Sequence, residues 1–359
     1  MEYKISKTLT KDSKLSFVDF NNIPFGKVFA DHIFIADYDG KEWNNFEISP
    51  LTRIPLHPAT MAWHYGQAIF EGMKVSITED GVPLLFRAKD HAKRFNASAT
   101  RMCMPEIPEE LFVESIKQLV NIDKNWIPKD EESALYLRPV MMAVDEFVGV
   151  RSSDTFKFMV MTLPSGPYYN KPIGLLVEEH YVRAADGGVG EAKAAGNYGA
   201  SLYPTKLAKE KGYDQVMWMD AKEFKYVQEV GTMNIFFVLD NVVLTPNLSG
   251  TILRGITRDT IITLLKEKGY NVEERPVSME EIAKAHANGK LLEVFGAGTA
   301  AVIANVERIG YKNVDLKLDM DKAVLSKELK REINGIRKGR IADIHNWIMP
   351  VYEEEIALS

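Results

Sequence analysis

The sequence of 359 residues contains one cysteine, Cys103. A single thiol excludes an internal disulfide framework and a cysteine-based zinc site, and it fits a reducing compartment. The sequence also lacks an uninterrupted apolar run of about 18 residues, the length a membrane-spanning helix needs. Its opening residues, Met1-Glu2-Tyr3-Lys4-Ile5-Ser6-Lys7, carry no apolar signal-peptide core. No block of basic residues is present and the net charge is -6, which argues against a nucleic-acid partner. Internal repeats and low-complexity tracts are missing too. These absences predict a cytoplasmic protein with small-molecule partners and no metal site.

Hydrophobic residues make up 46% of the sequence and charged residues 26%, the balance of a globular chain with an ample core. The length suits two domains of roughly 150 residues each. Helical and strand-like segments mix without strict alternation, so the expected fold class is α+β or mixed α/β. Residues 163–172 hold three prolines and a glycine and are not expected to continue a helix or a central strand. The division expected is a smaller first α/β domain over 1–164, a loop over 165–176 and a larger second domain over 177–359. Residues 28–38 read as a strand ending in the hairpin signal Asp39-Gly40. Residues 60–70, 90–102 and 109–121 read as helices. Ser278-Met279-Glu280-Glu281 has the spacing of a capping box. Cys103 ends the second of those helices among apolar neighbours, and reads as an inert core thiol.

Four segments carry residues that could do chemistry. Gly187-Gly188-Val189-Gly190-Glu191-Ala192-Lys193-Ala194-Ala195-Gly196-Asn197-Tyr198 places a lysine in an irregular, glycine-rich stretch just before a helix. There an amine can be aimed at a pocket and serve as a carbonyl nucleophile. It matches neither a P-loop nor a dinucleotide fingerprint. Glu229 interrupts an apolar, β-rich run, where a carboxylate is usually paired. Leu253-Arg254-Gly255-Ile256-Thr257 opens a helix, and the orphan N–H groups there suit a phosphate. Gly296-Ala297-Gly298-Thr299-Ala300 follows a strand at 291–295 and reads as a tight turn offering N–H groups to an anion. Arg94 lies on a helix and suits bidentate binding of phosphate or carboxylate. Each has a plainer reading on its own: a loop lysine, an edge glutamate, a helix cap, a turn, a surface ion pair.

Taken in order, these segments resemble the branched-chain amino-acid aminotransferases, a family of the fold-type IV pyridoxal-phosphate enzymes. Phe25-Gly26, His64-Tyr65, Phe70-Glu71-Gly72-Met73-Lys74 and Tyr136-Leu137-Arg138-Pro139 look like the same family, so the likeness runs through nearly the whole sequence. It implies the two-domain fold of the D-amino-acid aminotransferase type, a homodimer, and pyridoxal 5′-phosphate held by Lys193 as a Schiff base. It implies that Glu229 pairs with the pyridine nitrogen and that Tyr198 bonds the ring phenolate oxygen. Arg94, Ile256, Thr257 and Thr299 would bind the phosphate. Tyr65 and the backbone at Thr299-Ala300 would take the substrate carboxylate. Phe25, Phe70, Tyr136 and Tyr168 would wall an apolar pocket for leucine, isoleucine or valine, with Arg138 for the side-chain carboxylate of glutamate. Residues 147–150, Phe-Val-Gly-Val, would be lent by the partner subunit.

Three other readings stand beside this one. A D-amino-acid aminotransferase or an aminodeoxychorismate lyase would use the same lysine and glutamate. A nicotinamide oxidoreductase would use 296–301 as a G-x-G-x-x-A turn, which requires a helix to follow. A non-catalytic cofactor-binding module would have no use for Lys193 and Glu229 together.

Overall fold

The computed structural model describes residues 3–352. The chain divides into two units, 1–168 with 334–359, and 169–333. Each holds one nine-stranded sheet.

In the first unit the sheet runs Ser6–Lys7, Trp43–Pro50, His32–Tyr38, Phe156–Ser165, Ala134–Ala143, Met73–Ile77, Pro83–Phe86, Ile348–Pro350, with Ala68–Phe70 paired beside Ala134–Ala143. Every pairing is antiparallel except that of Ser6–Lys7 with Trp43–Pro50. The hairpin expected at Asp39-Gly40 is there, joining His32–Tyr38 to Trp43–Pro50, with Gly40 at φ 97°. Helices Ala88–Arg101 and Glu109–Ile122 lay their apolar stripes on this sheet. Phe95 and Phe112 from the helices meet Phe158 from the sheet at centroid distances of 5.4 and 5.9 Å. Phe34 reaches Phe158 from the neighbouring strand at 6.0 Å.

The second unit has a mixed sheet: Val227–Val230, Gln215–Met219, Ile173–Val177, Val302–Tyr311, Leu291–Gly298, Asn234–Leu239, Val242–Thr245, Val272–Glu274, with Val314–Lys317 paired beside Val302–Tyr311. Ser278 caps Met279–Ala287 as its spacing predicts: its side chain accepts the N–H of Glu281.

Several expectations are corrected. The helix expected over 60–70 is only Met61–Tyr65; Gly66, at φ 66°, ends it, and Ala68–Phe70 is a strand. Pro164 does not stop its strand, which runs to Ser165; the proline lies opposite Leu135 near the strand end, where one missing N–H costs little. Residues 296–298 are not a turn. Leu291–Gly298 is one strand, and the turn is residues 299–301. The glycines are there because a Cβ on Gly296 would come within 2.8 Å of the Met233 side chain. A strand follows that turn, not the helix a dinucleotide site requires. Cys103 is exposed rather than core. Its left-handed backbone, φ 54°, turns the thiol outward, and Met104 takes the buried position. Residues 334–352 return to the first unit, where Ile348–Pro350 pairs with Pro83–Phe86. The linear division at 165–176 does not contain that return.

A buried ionic tie joins strand to helix in the first unit. Glu71, with no exposed surface, lies between Ala68–Phe70 and Met73–Ile77. Arg94 donates to both its oxygens, from Nε at 2.6 Å and Nη2 at 2.9 Å, and His91 Nδ1 donates at 2.8 Å. The Gly72 N–H adds a fourth bond at 3.0 Å. Burial pushes the Glu71 carboxyl up, but Arg94 and then His91 outweigh it, holding it well below the usual carboxylate range. A carboxyl held low contributes its stability above the ordinary carboxylate pKa, about 4.3, and loses it as pH falls. Glu71→Gln leaves the buried Arg94 guanidinium without its anion and is expected to cost about 3–5 kcal/mol near neutral pH. In denaturant titrations the gap between wild type and variant should be flat from pH 8 to 5 and shrink below about 4; a gap that widens on acidification would contradict this account.

Candidate functional site

In the second unit the lysine segment is irregular, as its composition requires, yet it is pinned. Asn197 is buried and its side-chain amide donates to the carbonyls of Val189 and Ala192, both at 2.9 Å. Ala192 and Ala194 are buried on either side of Lys193. Helix Ala195–Ala200 begins directly after and carries Tyr198 on its first full turn. Lys193 Nζ donates to Tyr198 Oη at 2.8 Å. Gly190 is needed for close approach: a Cβ there would lie 2.5 Å from Ala184 Cβ and 2.7 Å from the Thr251 carbonyl.

Glu229 sits on Val227–Val230, 3% exposed. Its Oε1 accepts the N–H of Leu253 at 2.7 Å, with the Asn234 amide at 3.5 Å. Arg183 Nε lies 3.1 Å from Oε2, both side chains being nine-tenths buried. The Nε–H does not point along a hydrogen bond, so this contact is Coulombic. Arg183 Nη2 instead donates to two backbone carbonyls, those of Gly190 at 3.1 Å and of Thr251.

Helix Ile256–Glu267 follows Gly255, which is extended at φ -66°, ψ 126°. Ile256 and Thr257 therefore lie in the first turn, whose N–H groups favour an anion. A Cβ on Gly255 would fall 1.9 Å from Asn234 Oδ1. Asn234 also donates to the Leu253 carbonyl at 3.0 Å, tying the Glu229 strand to this turn. Thr299 and Ala300 lie in the turn after Gly298, and the pairing of Asn234 with Ala297 sets that turn just beyond Asn234.

In the first unit Arg94 is brought to Glu71 and His91 as described. Phe25 meets Tyr136 at 5.2 Å and Tyr168 at 5.0 Å, both edge-on. Burial, and Tyr136 nearby, push the Tyr168 phenol up. Arg138 lies over Phe70, 4.7 Å from the ring centroid, and its Nη2 donates to Tyr136 Oη at 3.1 Å. Arg138 Nε is buried without a partner. The Tyr136 hydroxyl explains Gly72, where a Cβ would lie 2.0 Å from it. Phe25, Phe70, Tyr136, Tyr168 and Arg138 thus form one cluster. Tyr65 contacts His64 at 6.0 Å, and among the described residues no ring contact joins it to the cluster. Phe147, Val148 and Val150 are exposed.

Sequence reasoning did not assign Arg183, Asn234, Glu71 or His91. Glu71 stood inside the motif Phe70-Glu71-Gly72-Met73-Lys74; Arg183 gives no signal beyond a charged residue ahead of the glycine-rich segment. Among the described residues no group of His, Cys, Asp and Glu is placed to hold a metal ion, and no helix is long and apolar enough to cross a membrane.

Residues 68–309 match the model of the family described as amino-transferase class IV. The chain is 44% identical over 353 residues to branched-chain-amino-acid aminotransferase 2 of Bacillus subtilis, covering 97% of this chain and 96% of the relative. It superposes on the branched-chain aminotransferase of Thermoproteus uzoniensis, solved with norvaline, with a TM-score of 0.75 at 23% identity, covering 89% and 99% of the two chains. It also superposes on the T.th. branched-chain amino acid aminotransferase complexed with N-(5′-phosphopyridoxyl)-L-glutamate, with a TM-score of 0.72 at 26% identity, covering 91% and 100%. A match that spans nearly the whole of both chains at this identity, on a fold of the same kind, makes the chain a member of the class IV amino-transferases and, within them, of the branched-chain-amino-acid aminotransferases.

Proposed function

We propose that the chain moves the amino group reversibly between leucine, isoleucine or valine and 2-oxoglutarate, giving the branched-chain 2-oxo acids and glutamate, with pyridoxal 5′-phosphate as cofactor. The observation that carries this reading is the Lys193 amine at 2.8 Å from the Tyr198 phenol, on a pinned loop. The relatives act on branched-chain amino acids by name, and the T.th. enzyme is solved with a phosphopyridoxyl-glutamate.

The residues present fit the cofactor. A buried carboxylate suits a ring nitrogen that must keep its proton, and the helix opening at Ile256-Thr257 suits a phosphate. Bound, the cofactor supplies the electron sink that makes the amino-acid Cα–H acidic. Lys193 would hold it, and the Lys193 amine is the group that would take the Cα proton. Tyr198 would bond the ring oxygen, and Glu229 would pair with the ring nitrogen. The N–H groups of Ile256 and Thr257, the Thr257 hydroxyl, Thr299 and Arg94 are assigned to the phosphate. The Thr299-Ala300 backbone and Tyr65 are assigned to the substrate carboxylate.

Phe25, Phe70, Tyr136 and Tyr168 give an apolar wall, which separates aliphatic side chains by only about 1–3 kcal/mol per methylene. Arg138, with its buried and unpartnered Nε, is assigned to the side-chain carboxylate of glutamate. The chain is assigned a homodimer, with exposed 147–150 lent to the partner, and a cytoplasmic location.

Borohydride treatment of the holoenzyme should fix the cofactor to the peptide containing Lys193, and Lys193→Ala should abolish transamination; labelling of another lysine would remove the assignment. Arg138→Met should raise KM for 2-oxoglutarate by roughly 10-fold or more, as expected for loss of a charge-assisted hydrogen bond. KM for leucine should stay within about 3-fold. Equal changes for both substrates would show that Arg138 only supports the wall. Val150→Asp should shift the sedimenting species from dimer to monomer and lower kcat with it; an intact, fully active dimer would exclude that segment from the interface.

A further inference from the structure

Arg183 has no part in the chemistry assigned above, yet it is one of the most constrained side chains of the second unit. Its guanidinium is nine-tenths buried against a carboxylate that is equally buried. One nitrogen, Nη2, donates to carbonyls from two separate segments, Gly190 and Thr251. Gly190 belongs to the loop carrying Lys193, and Thr251 to the turn that leads to Ile256 and Thr257. Gln228, beside Glu229, accepts the Thr251 hydroxyl, so the same turn is also tied to the Glu229 strand. A Cβ at Gly190 would collide with Ala184, the residue after Arg183, and with the Thr251 carbonyl. Four stretches of chain therefore meet around one guanidinium.

We propose that Arg183 is a positioning residue for the transamination: it keeps Glu229 ionised in its buried place and sets the lysine loop against the phosphate-binding turn. This rests on the assignment of Glu229 to the cofactor ring nitrogen. The physical case is direct. A carboxylate removed from water takes up a proton unless a cation or N–H groups compensate it. A neutral carboxylic acid cannot favour a protonated ring nitrogen. Arginine stays charged when buried, and its planar fork serves an anion on one side and carbonyls on the other. Lysine keeps the charge but, as a point charge, cannot hold that geometry. The Coulombic contact at Nε, without an aligned hydrogen bond, leaves the orienting of the carboxylate to N–H donors, those of Leu253 and Asn234 among them. Arg183 thereby supplies charge to Glu229 and geometry to the two carbonyls.

The test compares Arg183→Met and Arg183→Lys, each alone and combined with Glu229→Gln. The readouts are kcat and KM for leucine, the dissociation constant of pyridoxal phosphate from its visible absorbance, and the thermal midpoint of each apoprotein. In the wild-type background Arg183→Met is expected to lower kcat roughly 10–100-fold, the range seen when a group orienting a site ligand is lost, with KM within about 3-fold. Added to Glu229→Gln, it should lower kcat by less than about 3-fold, because the charge it protects is already gone. Arg183→Lys should recover part of kcat and leave the cofactor affinity reduced. The apoprotein midpoint should drop less on Arg183→Met when residue 229 is glutamine. Equal losses of kcat in both backgrounds, or a lowered midpoint with unchanged kcat, would overturn the proposal and leave Arg183 a structural ion pair. A Glu229→Gln enzyme with wild-type kcat would overturn the ring-nitrogen assignment itself, and this proposal with it.

Discussion

A carboxylate removed from water demands compensation, and each unit of this chain is organised around one such demand. In the second unit it is Glu229. An isolated ion at this depth would cost several kcal/mol or take up a proton. The structure answers with a backbone N–H from Leu253 and a guanidinium from Arg183. Both come from outside the strand that carries the carboxylate. Their presence therefore requires the turn before helix Ile256–Glu267 and the segment before the lysine loop to converge. What looks like a set of separate motifs is held in register by the requirements of a single charge.

The first unit solves the same problem with Glu71, using a bidentate arginine, a histidine and a backbone N–H. The consequence is different. Arg94 is oriented by its partner before any ligand is considered, so its entropy is already lost on folding and not on binding. The two glycines beside these charges, Gly72 and Gly255, serve neither turns nor flexibility. Each makes room for a neighbouring side chain, the Tyr136 hydroxyl in one case and the Asn234 amide in the other.

The aromatic cluster of the first unit shows how an apolar wall is compatible with a buried charge. Rings set edge-on give apolar area with little freedom. Arg138 lies over Phe70, where the ring face shares the cost of burying its charge. Its Nε is a buried donor without an acceptor, a position that commonly costs about 1–3 kcal/mol.

Much of this was legible in the sequence, for a local reason. The strand His32–Tyr38 lies within residues 28–38, the helices Ala88–Arg101 and Glu109–Ile122 lie close to 90–102 and 109–121, and Ser278 caps its helix as its spacing says. Lys193 stands in irregular chain because glycines and alanines surround it. Periodicity, capping and turn chemistry act over a few residues, so a few residues reveal them. The failures share the opposite cause. Gly296 and Gly298 read as a turn until Met233, just before the neighbouring strand Asn234–Leu239, is seen lying on them. Cys103 reads as core until the left-handed turn after its helix sends Met104 inward instead. Residues 334–352 read as the end of the second domain until Ile348–Pro350 is found completing the sheet of the first. Arg183 reads as nothing at all. Sequence determined which elements form and which residue types stand at the reactive positions; only the tertiary structure decided which charge faces which, because burial and ion pairing join residues that no local pattern connects.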